Sequence, residues 1–141
     1  MTILRVPWWV VAMVLGLSLV GGPVWAAEGQ VFDVQEQVKK GDQRPGFTLQ
    51  ELVKTPTYTV GAVAVQDEIK MHRHADGDHN VYIVSGQGTV TLGDKQLPVK
   101  PGMLIHIPKD MPHAIKAQGG DVTLIDFAQP PFDPNKMEWV K

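Results

Sequence analysis

From Phe47 onward the chain is cut into short runs rich in β-branched and aromatic residues, each closed by glycine, proline or aspartate. Residues 47–53 alternate loosely between apolar and polar positions. Residues 58–65 open on Tyr58 and are rich in Val behind Pro56, and residues 80–84 (NVYIV) follow an Asp76-Gly77-Asp78 turn. Gly86 and Gly88 precede residues 89–92, and Gly93-Asp94 reads as a two-residue hairpin turn into residues 95–99. Pro101-Gly102 opens 103–107, the 108–112 loop leads into 113–117, and Gly119-Gly120 precedes 122–127. About eight short strands, with turns every 6 to 12 residues or so, predict an all-β sandwich or barrel.

Ahead of this region, residues 31–40 (VFDVQEQVKK) are compatible with a short helix ending at Gly41 or with an irregular lead-in. Residues 1–26 have a different character. Arg5 gives a short positive start, an apolar run follows, Gly21-Gly22-Pro23 breaks it, and Val24-Trp25-Ala26 supplies small residues where a signal peptidase reads. The apolar run, about 15 to 17 residues, falls short of the roughly 20 that a spanning helix needs. The expectation is therefore a signal peptide over 1–26, cleaved after Ala26, and a periplasmic or secreted product without stable membrane insertion. The predicted organisation continues with a lead-in over 27–46, a single β-barrel domain over 47–129 and a tail over 130–141 that wraps the surface or an entrance.

The absence of cysteine excludes disulfides, thiolate metal sites and cysteine nucleophiles. Without Arg5, 12 basic residues face 15 acidic ones, a balance that argues against nucleic acid as a partner. Histidine carries the chemistry. Four of the five histidines fall into two blocks, Met71-His72-Arg73-His74 with His79, and His113 behind Pro108 and Pro112. Residues two apart on a strand share a face, so His72 and His74 can aim at one point. Neutral imidazole is the commonest protein metal ligand, which points to a transition-metal site inside a barrel.

The order HRH-ADGD-H-NVYIVS-G, then PGMLIHIP-KDM-PH, resembles the two motifs of the cupin superfamily over about Phe47 to Phe127. His72, His74 and Gly86 match the first motif. Pro101-Gly102, Pro108 and Pro112-His113 match the second. The resemblance implies a double-stranded β-helix, or jelly-roll barrel, holding one divalent transition metal (Mn, Fe, Ni, Cu or Zn). Where the family usually carries glutamate, counting back from Gly86 reaches His79, so the implied ligand set is His72, His74, His79 and His113. Asp78 is the competing assignment, but on a regular strand it faces away from His79. Histidine in place of glutamate makes the centre one unit more positive and removes the carboxylate that would serve as a base.

His106 shares a face with Leu104 and is read mainly as a surface or hydrogen-bonded residue, with the cavity border as the alternative. Asp76 and Asp78 read as turn residues, able to orient ligand imidazoles from behind. Phe127, Trp139, Met71 and Met103 are candidates for packing or for the barrel mouth. No catalytic residue can be named. The resemblance implies a small-molecule ligand or substrate and a homodimer. The leading expectation is a metal-dependent, dioxygenase-type enzyme acting on a small oxygen-rich or phenolic molecule. The alternatives are a non-catalytic periplasmic metal or ligand carrier or sensor, and a module whose ion only stabilises the fold. Histidine ligation further predicts loss of metal below about pH 6.

Overall fold

The computed structural model describes residues 28–141, so the expected signal peptide and its cleavage point lie outside the described residues. A short helix, α1 (Val34–Val38), opens the fold because the Asp33 carboxylate accepts the Glu36 backbone N–H at 3.1 Å, satisfying a first-turn donor. The strands follow: β1 (Asp42–Arg44), β2 (Phe47–Lys54), β3 (Thr59–Val65), β4 (Glu68–His74), β5 (Asp78–Ser85) and β6 (Gly88–Leu92). Then come β7 (Lys95–Val99), β8 (Leu104–Ile107), β9 (His113–Ala117), β10 (Val122–Gln129) and β11 (Met137–Trp139). The eight runs expected from the sequence are all strands. The other three are β4, which carries the histidine pair, and two short edge strands, β1 and β11.

The strands form two antiparallel sheets, one ordered β1-β2-β3-β10-β5-β8 and the other β11-β4-β9-β6-β7. This is the jelly-roll arrangement expected, within the unit Val31–Lys141. Alternation builds its core. On β5, Val81 and Ile83 are buried while Tyr82 faces out, and on β8 Ile105 and Ile107 are buried while Leu104 and His106 face out. These residues meet Val63 and Leu124 from their own sheet and Val90 and Ile115 from the other. Each such aliphatic side chain contributes roughly 1.5–3 kcal/mol by leaving water.

Strand β4 departs from regular alternation at one place, and that place sets the site. Ile69 pairs with Ile115 and His72 pairs with His113, so three steps on β4 answer two on β9. The extra residue is a bulge at Lys70–Met71. A regular strand would put Ile69, Met71 and Arg73 on one face. The bulge reverses the phase, so His72 and His74 join Ile69 on the inward side while Arg73 stays exposed.

Residues 130–141 are more than a wrapping tail. Through β11 they add a strand to β4, with Met137 opposite His74 and Trp139 opposite His72. Arg73 fixes this edge through two hydrogen bonds to Glu138 Oε2, at 2.6 and 2.8 Å.

Gly86 turns β5 toward β6 in a left-handed conformation (φ +80°), and a Cβ there would lie 2.1 Å from the Asp121 carbonyl oxygen. Gly93 is also left-handed (φ +57°) but has open space around it. Gly93→Ala should therefore cost about 1–2 kcal/mol, the conformational penalty alone. Gly86→Ala should cost about 3 kcal/mol or more, because backbone must move as well. Urea unfolding of the two variants checks this, and equal midpoints would refute the steric argument.

Candidate metal centre

His72 and His74 project from β4 and His113 from the start of β9, all three between the sheets and at most 7% exposed. One ring nitrogen from each lies within 4.8 Å of the others. The cross-strand pair His72–His113 sets ring centroids 4.2 Å apart, and His74 stands edge-on to His72 at 5.0 Å. The loop before β9 is fastened to this arrangement. Asp110 donates its backbone N–H to the His74 carbonyl at 2.9 Å, and Pro112 accepts from Gly93 N–H at 2.8 Å.

His79 enters from β5, on the opposite sheet. It is 3% exposed, stacks on His74 with centroids 3.8 Å apart, and falls with His74 and Asp76 in a second group whose ligand atoms lie within 4.8 Å. All four predicted histidines thus meet in one interior region. His72, His74 and His113 form one close set, and His79 approaches it from across the barrel.

Hydrogen bonds behind the rings decide which nitrogens are free. His72 Nδ1–H donates to Lys70 O at 2.7 Å, the carbonyl that the β4 bulge turns toward it, and His113 Nδ1–H donates to Met111 O at 2.9 Å. His79 Nδ1–H donates to the Asp126 carboxylate, at 2.8 Å to Oδ2 and 3.0 Å to Oδ1. These bonds fix the tautomer and leave each Nε2 as a lone-pair donor toward the interior, the arrangement usual behind metal-bound imidazoles.

Among the described residues, the buried side-chain polar atoms lacking a partner are His74 Nδ1 and both Asp76 oxygens. Such atoms are costly unless something completes them. A neutral imidazole set with open lone pairs, beside an unpartnered carboxylate, fits a divalent transition metal. The group His72, His74 and His113 could hold one.

Asp78 does not compete with His79. It is exposed and its Oδ1 accepts the Lys109 backbone N–H at 2.8 Å, fastening the 108–112 loop. His106 shares the outward face of Leu104 and its Nδ1 lies 3.0 Å from Asn80 Oδ1, so it does not border the cavity. Phe127 stacks on Tyr58, with centroids 4.9 Å apart, and Trp139 lines the mouth. Sequence reasoning missed Asp126. Its signal was an acidic residue sharing one face of β10 with Leu124 and Ala128, both of which are buried.

Two cavities meet at these histidines. The smaller, about 70 Å³, lies among aliphatic side chains including Val81, Val90, Ile105 and Ile107. The larger, about 430 Å³, runs from His72 and His74 outward past Phe132 and Trp139 to Arg44.

Burial, the largest cause for each, lowers the His72 pKa, holds His113 down to about 4 and holds His74 down to about 2; neighbouring imidazoles add to each depression. The folded chain therefore refuses protons that the unfolded chain accepts below its ordinary value of 6.5. Stability of the metal-free protein is complete above that value and declines as pH falls toward 4, by about 1.4 kcal/mol per pH unit for each such histidine. Urea midpoints measured from pH 7 to pH 4.5 should fall accordingly, and a flat series would contradict the burial of neutral rings. The same depression lessens proton competition at the His74 and His113 rings, which stay in the neutral form that can donate to a metal.

The Cupin_2 family model, a cupin domain, matches residues 60–127. An uncharacterised protein of Methanocaldococcus jannaschii is 25% identical over 111 residues, covering 73% of this chain and 89% of that one. KdgF from Halomonas sp. superposes with a TM-score of 0.61 at 26% identity, covering 65% of this chain and 86% of its own. A Klebsiella pneumoniae protein with a double-stranded β-helix domain reaches a TM-score of 0.69 at 17% identity, covering 81% and 99%. Streptomyces Pac13, a nucleoside dehydratase solved with uridine, reaches 0.64 at 21% identity, covering 74% and 88%. The likeness to these last two is one of fold. The family match, the barrel topology and the paired histidine blocks agree: the chain belongs to the cupin superfamily.

Proposed function

We propose that the protein binds one divalent transition metal through His72, His74 and His113, with His79 as fourth ligand oriented by Asp126, and uses it in oxidative chemistry on a small oxygen-rich or phenolic molecule. The observation that carries this reading is the convergence of three neutral, buried imidazoles, two of which, His72 and His74, open onto a cavity of about 430 Å³, a volume suited to a small ligand. When bound, such an ion supplies Lewis acidity toward ligand oxygens. The chain's own residues do the rest. Hydrogen bonds donated by the ring Nδ1–H groups to Lys70 O, Met111 O and the Asp126 carboxylate hold the rings, beside aliphatic walls.

The choice of oxidant rests on the smaller cavity. Its lining joins the four imidazoles and Asp126 to Val, Ile and Leu side chains, so a small apolar molecule such as dioxygen can lie against the aliphatic part within reach of a metal held by the histidines. A dioxygenase places both oxygen atoms in its product and needs no separate reductant. We further propose that the protein is exported after removal of residues 1–26 and acts as a homodimer.

Protein recovered from the exported fraction, with an intact mass beginning at Ala27, should contain about one transition-metal ion per chain by elemental analysis. It should consume oxygen with one member of a panel of catechols, flavonols and diketones. His113→Ala and His79→Ala should each abolish uptake, and His113→Ala should also lower metal affinity by more than about tenfold, since it removes a ligand. Full metal retention with no turnover on any compound would overturn the catalytic reading in favour of a carrier. Unchanged metal content in both variants would overturn histidine ligation.

A further inference from the structure

The wall of the larger cavity includes four residues of segment 130–141, Phe132, Pro134, Met137 and Trp139. Two of these are aromatic and stand directly over the histidines. The Trp139 ring lies 5.6 Å from His72, tilted by 55°, because β11 pairs residue 139 with residue 72. Phe132 presents its edge to His74 at 5.6 Å and to His79 at 6.0 Å, and its backbone N–H donates to Thr59 Oγ1 at 3.2 Å. Both rings are positioned by backbone contacts.

Trp139 nevertheless remains 59% exposed while lining the cavity. An indole held in place with much of its surface uncovered is a surface that a ligand's flat face can cover, with a gain from both area and stacking geometry. Phe132 lines the same cavity, close to His74 and His79. The space between Trp139 and Phe132 opens toward a rim where Arg44 and Asp42 share one strand and Glu51 is held by Lys54 at 3.5 Å.

Resting on the metal reading above, we propose that this cavity selects a planar conjugated ring carrying two adjacent oxygen donors. The donors point toward the histidines, the ring face lies against Trp139, and the Phe132 edge limits its thickness. Puckered saturated rings and acyclic polyols have no flat face to offer. Trp139 is then a specificity-determining residue, supplied by the strand that segment 130–141 adds to β4.

The test uses the full chain loaded with Co(II) and three hydroxamates that share one two-oxygen chelating head: benzohydroxamate, cyclohexanecarbohydroxamate and acetohydroxamate. Cobalt absorption bands report chelation and calorimetry reports affinity. Benzohydroxamate should bind about fivefold tighter than its saturated counterpart, the size expected of one aromatic contact. The preference should vanish in Trp139→Leu and return in Trp139→Phe, while acetohydroxamate binds all three proteins alike. Equal affinities in the unmodified protein, or a preference that survives in Trp139→Leu, would overturn the planar-ring proposal while the shifted cobalt bands uphold the metal reading. No band shift with any hydroxamate would overturn both.

Discussion

The β4 bulge at Lys70–Met71 is the constraint on which the site depends. It adds one residue against β9, reverses which side chains face inward, and turns the Lys70 carbonyl onto His72 Nδ1. Without it, Met71 and Arg73 would face the interior and the two imidazoles would face solvent. A guanidinium buried there would need a partner that the aliphatic core does not supply. One inserted residue therefore decides whether the barrel holds a cluster of neutral donors or an unpaired charge.

The cluster is arranged to keep its rings uncharged. Several imidazoles share a volume walled by Val, Ile and Leu, where each proton added would face poor solvation and nearby like charge. Neutral rings are the form that donates a lone pair to a metal. The carboxylate hydrogen-bonded to the cluster, Asp126, orients the His79 ring and also lines both cavities. Asp76 adds a second buried carboxylate close to His74 and His79, without a hydrogen-bond partner. Two acidic residues thus adjoin the centre on its His79 side, although its predicted ligands are all neutral.

Strand positions were legible wherever alternation and turn residues coincided. Residues 80–84, 95–99 and 113–117 lie where their Val, Ile and Gly/Pro boundaries indicate, because side-chain period and turn chemistry are local properties. The assignment of Asp78 to the outside followed from the same alternation, whereas the outward face of His106 did not, because alternation pairs it with Leu104, an apolar residue that is itself exposed. Nonlocal pairing was not legible. Residues 42–44 are too short and polar, and residues 137–139 too short, to signal strands, and they exist because a sheet edge was there to receive them. The bulge was invisible for a related reason: its register is defined only against β9. Asp126 escaped notice because an acidic residue in VTLIDFAQ reads as solvent-facing until the histidine across the sheet is known.

The most direct test of this account is the position of the metal in an anomalous-diffraction map from metal-soaked crystals. One strong peak per chain is predicted, about 2.0–2.2 Å from ring nitrogens of His72, His74, His113 and His79, as imidazole–metal bonds require. A peak held by His74, Asp76 and His79 with His72 and His113 left out, or no peak in the barrel at all, would contradict it.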